Sequence, residues 1–166
     1  MAAEKNTALS TKPPTTDVYM GVVFELNGED IALEPKNAIN ELKTKGLECG
    51  LPPGKRVELG TVGAGLRGIF EDLGATPPEF LKADGTIDET QIPDIDFLKR
   101  TVTLLTQADL AVEQFHVKIP GTLSKDTNNY YTIGMSATWS ADAGTLSDTI
   151  KLKLKGIYFK VSNEGG

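Results

Sequence analysis

The stretch Val18-Tyr19-Met20-Gly21-Val22-Val23-Phe24-Glu25-Leu26-Asn27-Gly28-Glu29-Asp30-Ile31-Ala32-Leu33 decides the fold. Val18, Met20, Val22, Phe24 and Leu26 alternate along one face of a strand. Asn27-Gly28 follows at once, and this pair suits the two-residue hairpin turn that requires positive φ at both positions. Closing the strands there sets Leu26 opposite Glu29, Phe24 opposite Ile31 and Val22 opposite Leu33. The apolar residues of both strands then share one face, and that agreement fixes the register.

Beyond the hairpin, the period changes at Pro35. Proline in a first turn, Ala38, Ile39 and Leu42 on one side, Lys43 and Lys45 late and Gly46 as a stop predict a short helix over about 36–45. The loop Gly50-Leu51-Pro52-Pro53-Gly54 and a short strand at Arg56 to Leu59 come next. Val62, Leu66, Ile69, Phe70 and Leu73 then recur at helical spacing up to Gly74, which predicts a second helix over about 62–73. Pro77-Pro78, Asp84-Gly85 and Pro93 among acidic residues make 75–94 a long surface excursion.

From about Ile95 the chain reads as a meander of strands. Val102 and Leu104 alternate in its first strand, and Phe115, Val117 and Ile119 in its second, which Pro120-Gly121 ends. Tyr131, Ile133, Met135, Ala137 and Trp139 share one face of a third, with Thr132, Ser136, Thr138 and Ser140 on the other. Asp142-Ala143-Gly144 reverses the chain, and Ile150 to Val161 returns. In that last strand Leu152 and Leu154 have even parity and Ile157, Phe159 and Val161 odd parity, so a bulge is expected at Gly156. The fold class that follows is α+β: a strand-rich antiparallel sheet or sandwich partly covered by two short helices.

The 166 residues suit one domain. We expect a polar arm at 1–16, a single globular domain at 17–162 and a frayed end at 163–166. A formal net charge of -6 disfavours a nucleic-acid partner, whose phosphates are held by clustered Lys and Arg. The first twenty residues lack the apolar core of a secretory signal, and no stretch approaches the roughly 20 apolar residues of a membrane span. A cytoplasmic location and no transmembrane segment are the expectations, with signal-independent export left open.

Cys49 is the only cysteine, which removes intrachain disulfides and multi-cysteine metal sites; a small part-buried thiol is preferred to a nucleophile. Gly63-Ala64-Gly65-Leu66-Arg67-Gly68 matches G-x-G-x-x-G, with Asp84 and Asp88 roughly 20 residues on. Gly63, Gly65 and Gly68 are therefore the weak candidates for a cofactor-binding turn, in which glycine backbone approaches a pyrophosphate. The surrounding consecutive strands lack the parallel βαβ units such a turn needs, so a glycine-rich helix packed on the sheet is preferred and no cofactor is expected.

His116, the only histidine, shares its parity with Gln114 and Lys118 and is expected to face solvent; no serine is singled out to partner it, so no catalytic residues are assigned. Asp84, Asp88, Glu89, Asp94 and Asp96 crowd one loop, but Gly85 and Ile87 interrupt the alternation of a calcium loop, and no metal site is assigned. Lys151, Lys153 and Lys155 form a comb that either grips an anionic partner or, the preferred reading, deters edge-to-edge pairing. Trp139 and Tyr130, Tyr131 and Tyr158 either line a ligand platform or, more simply, pack the core.

These observations point to a non-enzymatic structural or interaction module, a self-assembling subunit that uses its N-terminal arm 1–16 and whose partners are other protein subunits, copies of itself included. The alternative is a small-molecule binder, of a hydrophobic ligand or a nucleotide, with its pocket near the glycine-rich helix.

Overall fold

A computed structural model describes residues 14–61, 65–140, 144–145, 147 and 149–164. Seven strands form an antiparallel sheet: β1 (Val22–Leu26), β2 (Glu29–Pro35), β3 (Leu47–Gly50), β4 (Val57–Thr61), β5 (Asp109–Ile119), β6 (Tyr130–Thr138) and β7 (Gly156–Ser162). Their order is β1-β2-β3-β5-β6-β7, with β4 also beside β5. The hairpin has the expected register, Leu26 to Glu29, Phe24 to Ile31 and Val22 to Leu33. Its turn holds positive φ at Asn27 (52°) and Gly28 (79°), which is why those two residue types stand there.

β5 is the spine. β6 pairs along its length on one edge, while β3 (Leu47 to Ile119 through Gly50 to His116) and β4 (Val57 to Val112 through Thr61 to Asp109) divide the other. A register shift between Val112 and Gln114 makes Glu113 the extra residue of a bulge. The bulge reconciles Leu110 and Val112, of even parity, with Phe115 and Val117, of odd parity, and all four are buried.

Three helical elements cover part of the sheet. A 3₁₀ turn (Ile39–Glu41) runs into α1 (Leu42–Lys45), which Gly46 ends. α2 (Leu66–Asp72) buries Leu66, Ile69 and Phe70, the stripe expected from the sequence; residues 62–64 of the expected helix lie outside the described residues. α3 (Asp96–Val102) continues as a 3₁₀ turn (Thr103–Gln107) and buries Val102 and Leu105. The excursion 75–94 is anchored by buried Leu81 and Ile92, with an isolated bridge from Leu81 to Ile87. The core between helices and sheet centres on Ile31, Leu66, Ile69, Leu110, Ile133 and Met135.

Three expectations are corrected. Val102 and Leu104 lie in helical turns, not in a strand. Their alternation is too short to separate the two periods, and Asp96, Lys99 and Arg100 suit the ends of α3. Leu47 to Gly50, for which the sequence carries no strand expectation and of which Gly50 opens the expected loop, form β3. Gly156 makes no bulge: β7 begins there in unbroken register with β6, the preceding residues bridge Lys153 to Thr145, and Leu152 is 67 % exposed while Leu154 packs against the core. The parity conflict is resolved by ending the strand rather than by kinking it.

Gly156 is nevertheless constrained. A Cβ at this residue would stand 2.5 Å from the Ala137 carbonyl oxygen and 2.9 Å from Thr138 Cγ2. Gly156→Val should therefore cost about 1–3 kcal/mol through overpacking against β6. A thermal melt within a degree of the wild type would show that β7 yields freely at its start.

Candidate functional site

The sheet ends in two strands that have a neighbour on one side only among the described residues: β1, paired to β2, and β7, paired to β6. Their charges are opposite. Residues 14–35 contain Asp17, Glu25, Glu29, Asp30 and Glu34 and no Lys or Arg, whereas 149–162 contain Lys151, Lys153, Lys155 and Lys160 and no Asp or Glu.

On β1 alternate residues turn to the core, where Phe24 stacks on Phe115 with ring centroids 5.5 Å apart. Val23 and Glu25 turn outward. On β7, Ile157, Phe159 and Val161 pack against the core, Phe159 meeting Phe70 edge to face at 5.2 Å. Tyr158 and Lys160 are exposed. The hydroxyl end of Tyr158 lies over Gly134, where a Cβ would collide with the phenol. Neither Glu25 nor Lys160 has an ion-pair partner among the described residues. Exposed apolar side chains stand ahead of and in β1, where Val18 is 62 %, Tyr19 57 %, Met20 43 % and Val23 65 % exposed, and again before and in β7, where Ile150 is 44 %, Leu152 67 % and Tyr158 52 % exposed.

His116 corrects a further expectation. It is half-buried rather than solvent-facing, because β3 brings Glu48 beside it and the chain beyond β7 brings Glu164. Its Nε2 lies 2.7 Å from Glu48 Oε2 and its Nδ1 3.5 Å from Glu164 Oε1. Glu164 also accepts a hydrogen bond from Thr132 Oγ1, which sits 2.7 Å from Ser162 Oγ. The end expected to fray at 163–166 thus holds two residues with partners, since Asn163 Oδ1 accepts from the Tyr131 amide at 2.7 Å; 165–166 lie outside the described residues. The two carboxylates address opposite nitrogens of one ring and do not converge on a common point, so the cluster clamps strands together.

The hydrogen bond from His116 holds the Glu48 carboxyl below its ordinary range, against the opposing effect of burial. A carboxyl whose folded-state value lies below its unfolded one stabilises the fold fully above the unfolded value, and that contribution is lost as pH falls through the folded one. His116→Ala should therefore melt below the wild type near neutrality, with the gap closing as the pH falls below the ordinary carboxylate range. Melting curves across that range test this; a gap that persists undiminished in acid would remove Glu48 from the account.

A cavity of about 350 Å³ lies between the end of α2 and the sheet, lined by Phe24, Leu73, Phe115, Val117, Ile119 and Tyr131 among others. Tyr131 closes one side by donating its hydroxyl to the Leu73 carbonyl. A larger groove, about 680 Å³, runs beside the hairpin between Val23 and Ala32 and the loop residues Leu51, Pro52 and Lys55.

The glycine motif is described only in part. Gly63 lies outside the described residues, Gly65 precedes α2 as its N-cap with φ -78°, and Gly68 sits within α2 with open space around it. β4 precedes the motif, but it joins β5 antiparallel, so the βαβ setting is missing there. Asp84 and Asp88 accept from the amides of Thr86 (3.0 Å) and Thr90 (3.1 Å), turning their carboxylates onto their own loop. Cys49 is buried opposite Val117, and burial pushes its thiol up.

Lys151, Lys153 and Lys155 are exposed but precede β7 instead of forming a comb on it. Trp139 is buried, as its parity implied, and its indole nitrogen has no hydrogen-bond partner among the described residues. Among the described residues no group of His, Cys, Asp and Glu is arranged to hold a metal ion, and no helix is long and apolar enough to cross a membrane. The Glu48–His116–Glu164 clamp and the opposed sheet edges were missed in the sequence because their members are far apart along the chain. The chain matches no protein-family model, no curated protein and no solved structure.

Proposed function

We propose that this chain is a non-enzymatic structural module that associates with further copies of itself through the edges of its sheet. The observation that carries the reading is the apolar, unpaired β1 edge. Exposed strand edges template pairing with another chain, and folded proteins usually blunt them with lysine, proline or a covering element. Here Val18, Tyr19, Met20 and Val23 stand exposed in and just ahead of β1, and residues 14–35 contain no lysine. Contiguous exposed apolar side chains of this kind mark interaction surfaces.

Sedimentation velocity over a concentration series tests the proposal. The expected result is growth in multiples of 17.8 kDa, and a single monomer peak at every concentration would overturn it. Deleting residues Met1 to Thr16 asks whether the expected arm contributes; undiminished assembly of the truncated chain would assign it no part.

The open pocket beside the end of α2 favours a second reading, a binder of small apolar molecules, since about 350 Å³ falls in the range of ligand sites. A ligand that binds only the native state raises its melting temperature. Fatty acids and small aromatics that leave the melt unchanged at millimolar concentration would dismiss this reading.

A further inference from the structure

We propose that copies join head to tail, the β1 edge of one adding antiparallel to the β7 edge of the next with Glu25 opposite Lys160. The inference rests on the self-association reading and specifies its surface. In a hairpin closed by two residues the pair flanking the turn is hydrogen-bonded and the pairs then alternate. Leu26 and Phe24 therefore direct their amides to β2, and Val23 and Glu25 present theirs to the open edge. At the other end, the Asn163 amide donates to Tyr131 O and the Trp139 amide to Lys155 O, each at 3.2 Å. That phase, with β6 and β7 paired from Thr132–Ser162 to Thr138–Gly156, makes Ile157, Phe159 and Val161 the residues bonded to β6. Tyr158 and Lys160 present their amides outward.

On both strands, then, the residues offering backbone groups to the open edge are the same ones whose side chains face solvent. Antiparallel addition matches amide to amide and solvent face to solvent face in one step. Parallel addition would set the solvent face of one copy level with the core face of the next. With Glu25 opposite Lys160, Phe24 falls beside Val161 and Leu26 beside Phe159, which continues the apolar face across the junction.

Charge selects this pairing over its rivals. Two β1 edges would bring the Glu25 carboxylates of both copies together, and two β7 edges their Lys160 side chains, the one charged residue on each of these strands. Only the heterologous contact joins opposite signs, and like charges directly opposite on a sheet repel. Lys160, which opposes self-pairing of β7, is for Glu25 of another copy the attraction. A contact of this kind closes into a ring or runs on as a filament according to the rotation between copies.

Charge reversal tests the inference without disturbing the fold, because both residues are exposed. Glu25→Lys and Lys160→Glu should each weaken association roughly ten-fold in sedimentation, and the double variant should return it to near the wild-type value. Single variants that assemble as well as the wild type, or a double variant as weak as the singles, would overturn the pairing while leaving self-association standing. A wild type that is monomeric throughout would instead remove the reading beneath it.

Mixing provides the second measurement. Val23→Pro and Lys160→Pro each remove an outward amide from one edge, so each alone should be monomeric and their equimolar mixture should stop at a dimer. A dimer formed by either variant alone would show a symmetric contact and overturn the head-to-tail arrangement.

Discussion

Gly46→Ala is expected to lower stability by about 3–5 kcal/mol, combining strain and overpacking that each cost roughly 1–3 kcal/mol. In a chain of this length that is roughly a 10 °C fall in the melting temperature. Gly46 holds φ 77° and ψ -172°, a combination open essentially to glycine alone. A Cβ added there would also stand 2.1 Å from the Ile119 carbonyl oxygen and 2.7 Å from the Gly121 amide. Gly121 faces back with the same tightness, its own Cβ position 2.4 Å from the Lys43 carbonyl oxygen.

The two glycines let the end of α1 close on the end of β5, and β3 enters its register from there. Gly54→Ala separates the two contributions. Gly54 has φ 76° and open space around it, so its substitution should show the backbone strain alone, about 1–2 kcal/mol. Chemical denaturation of both variants tests the difference, and equal losses would mean that the contact with Ile119 relaxes without cost.

Phe70→Ala should cost about 3–5 kcal/mol, the range for deleting a buried aromatic from a core. Phe70 is 4 % exposed and meets Phe159 edge to face, at 82° between ring planes. The pair joins the glycine-rich helix α2 to the edge strand β7. Phe70→Leu keeps most of the buried volume and loses the aromatic pair, worth about 0.5–1.5 kcal/mol. If Phe70→Ala were no worse than Phe70→Leu, the helix would be resting on the sheet rather than packed into it.

How much of this was legible depended on distance along the chain. Asn27-Gly28 pins a hairpin because turn and alternation lie within sixteen residues and agree. The stripe Leu66, Ile69 and Phe70 was legible for the same reason. A parity change does signal a bulge, but the logic applies at Glu113, between Val112 and Phe115, and not at Gly156. The difference is that β5 has partners on both edges and keeps both parities buried, whereas before Gly156 the ladder to β6 narrows to the Trp139–Lys155 bond and Lys153 turns to bridge Thr145. β3 offers only Leu47 and Cys49 as an alternating pair, too few to establish a period, and it becomes a strand because β5 supplies its ladder.

The candidate site was legible only in pieces. Parity alone sent His116 to solvent, since Glu48 lies 68 residues away and only the β3–β5 pairing brings it alongside. The lysines of 149–162 and the carboxylates of 14–35 were visible as composition. Their placement on opposite ends of one sheet is a property of topology, which no local period encodes.

The attachment of the hairpin to the rest of the sheet has a further consequence. β2 meets β3 through only two pairs, Glu34 to Gly50 and Pro35 to Cys49, whereas β5 and β6 share nine. Side-chain packing by Ile31, Leu33 and Phe24, rather than a backbone ladder, therefore seats the hairpin on the body. In hydrogen exchange the amides of Phe24 and Ile31 would report an opening of the hairpin as one unit, at a lower free energy than the amides of Val117 and Ile133, which are released only when the sheet itself comes apart.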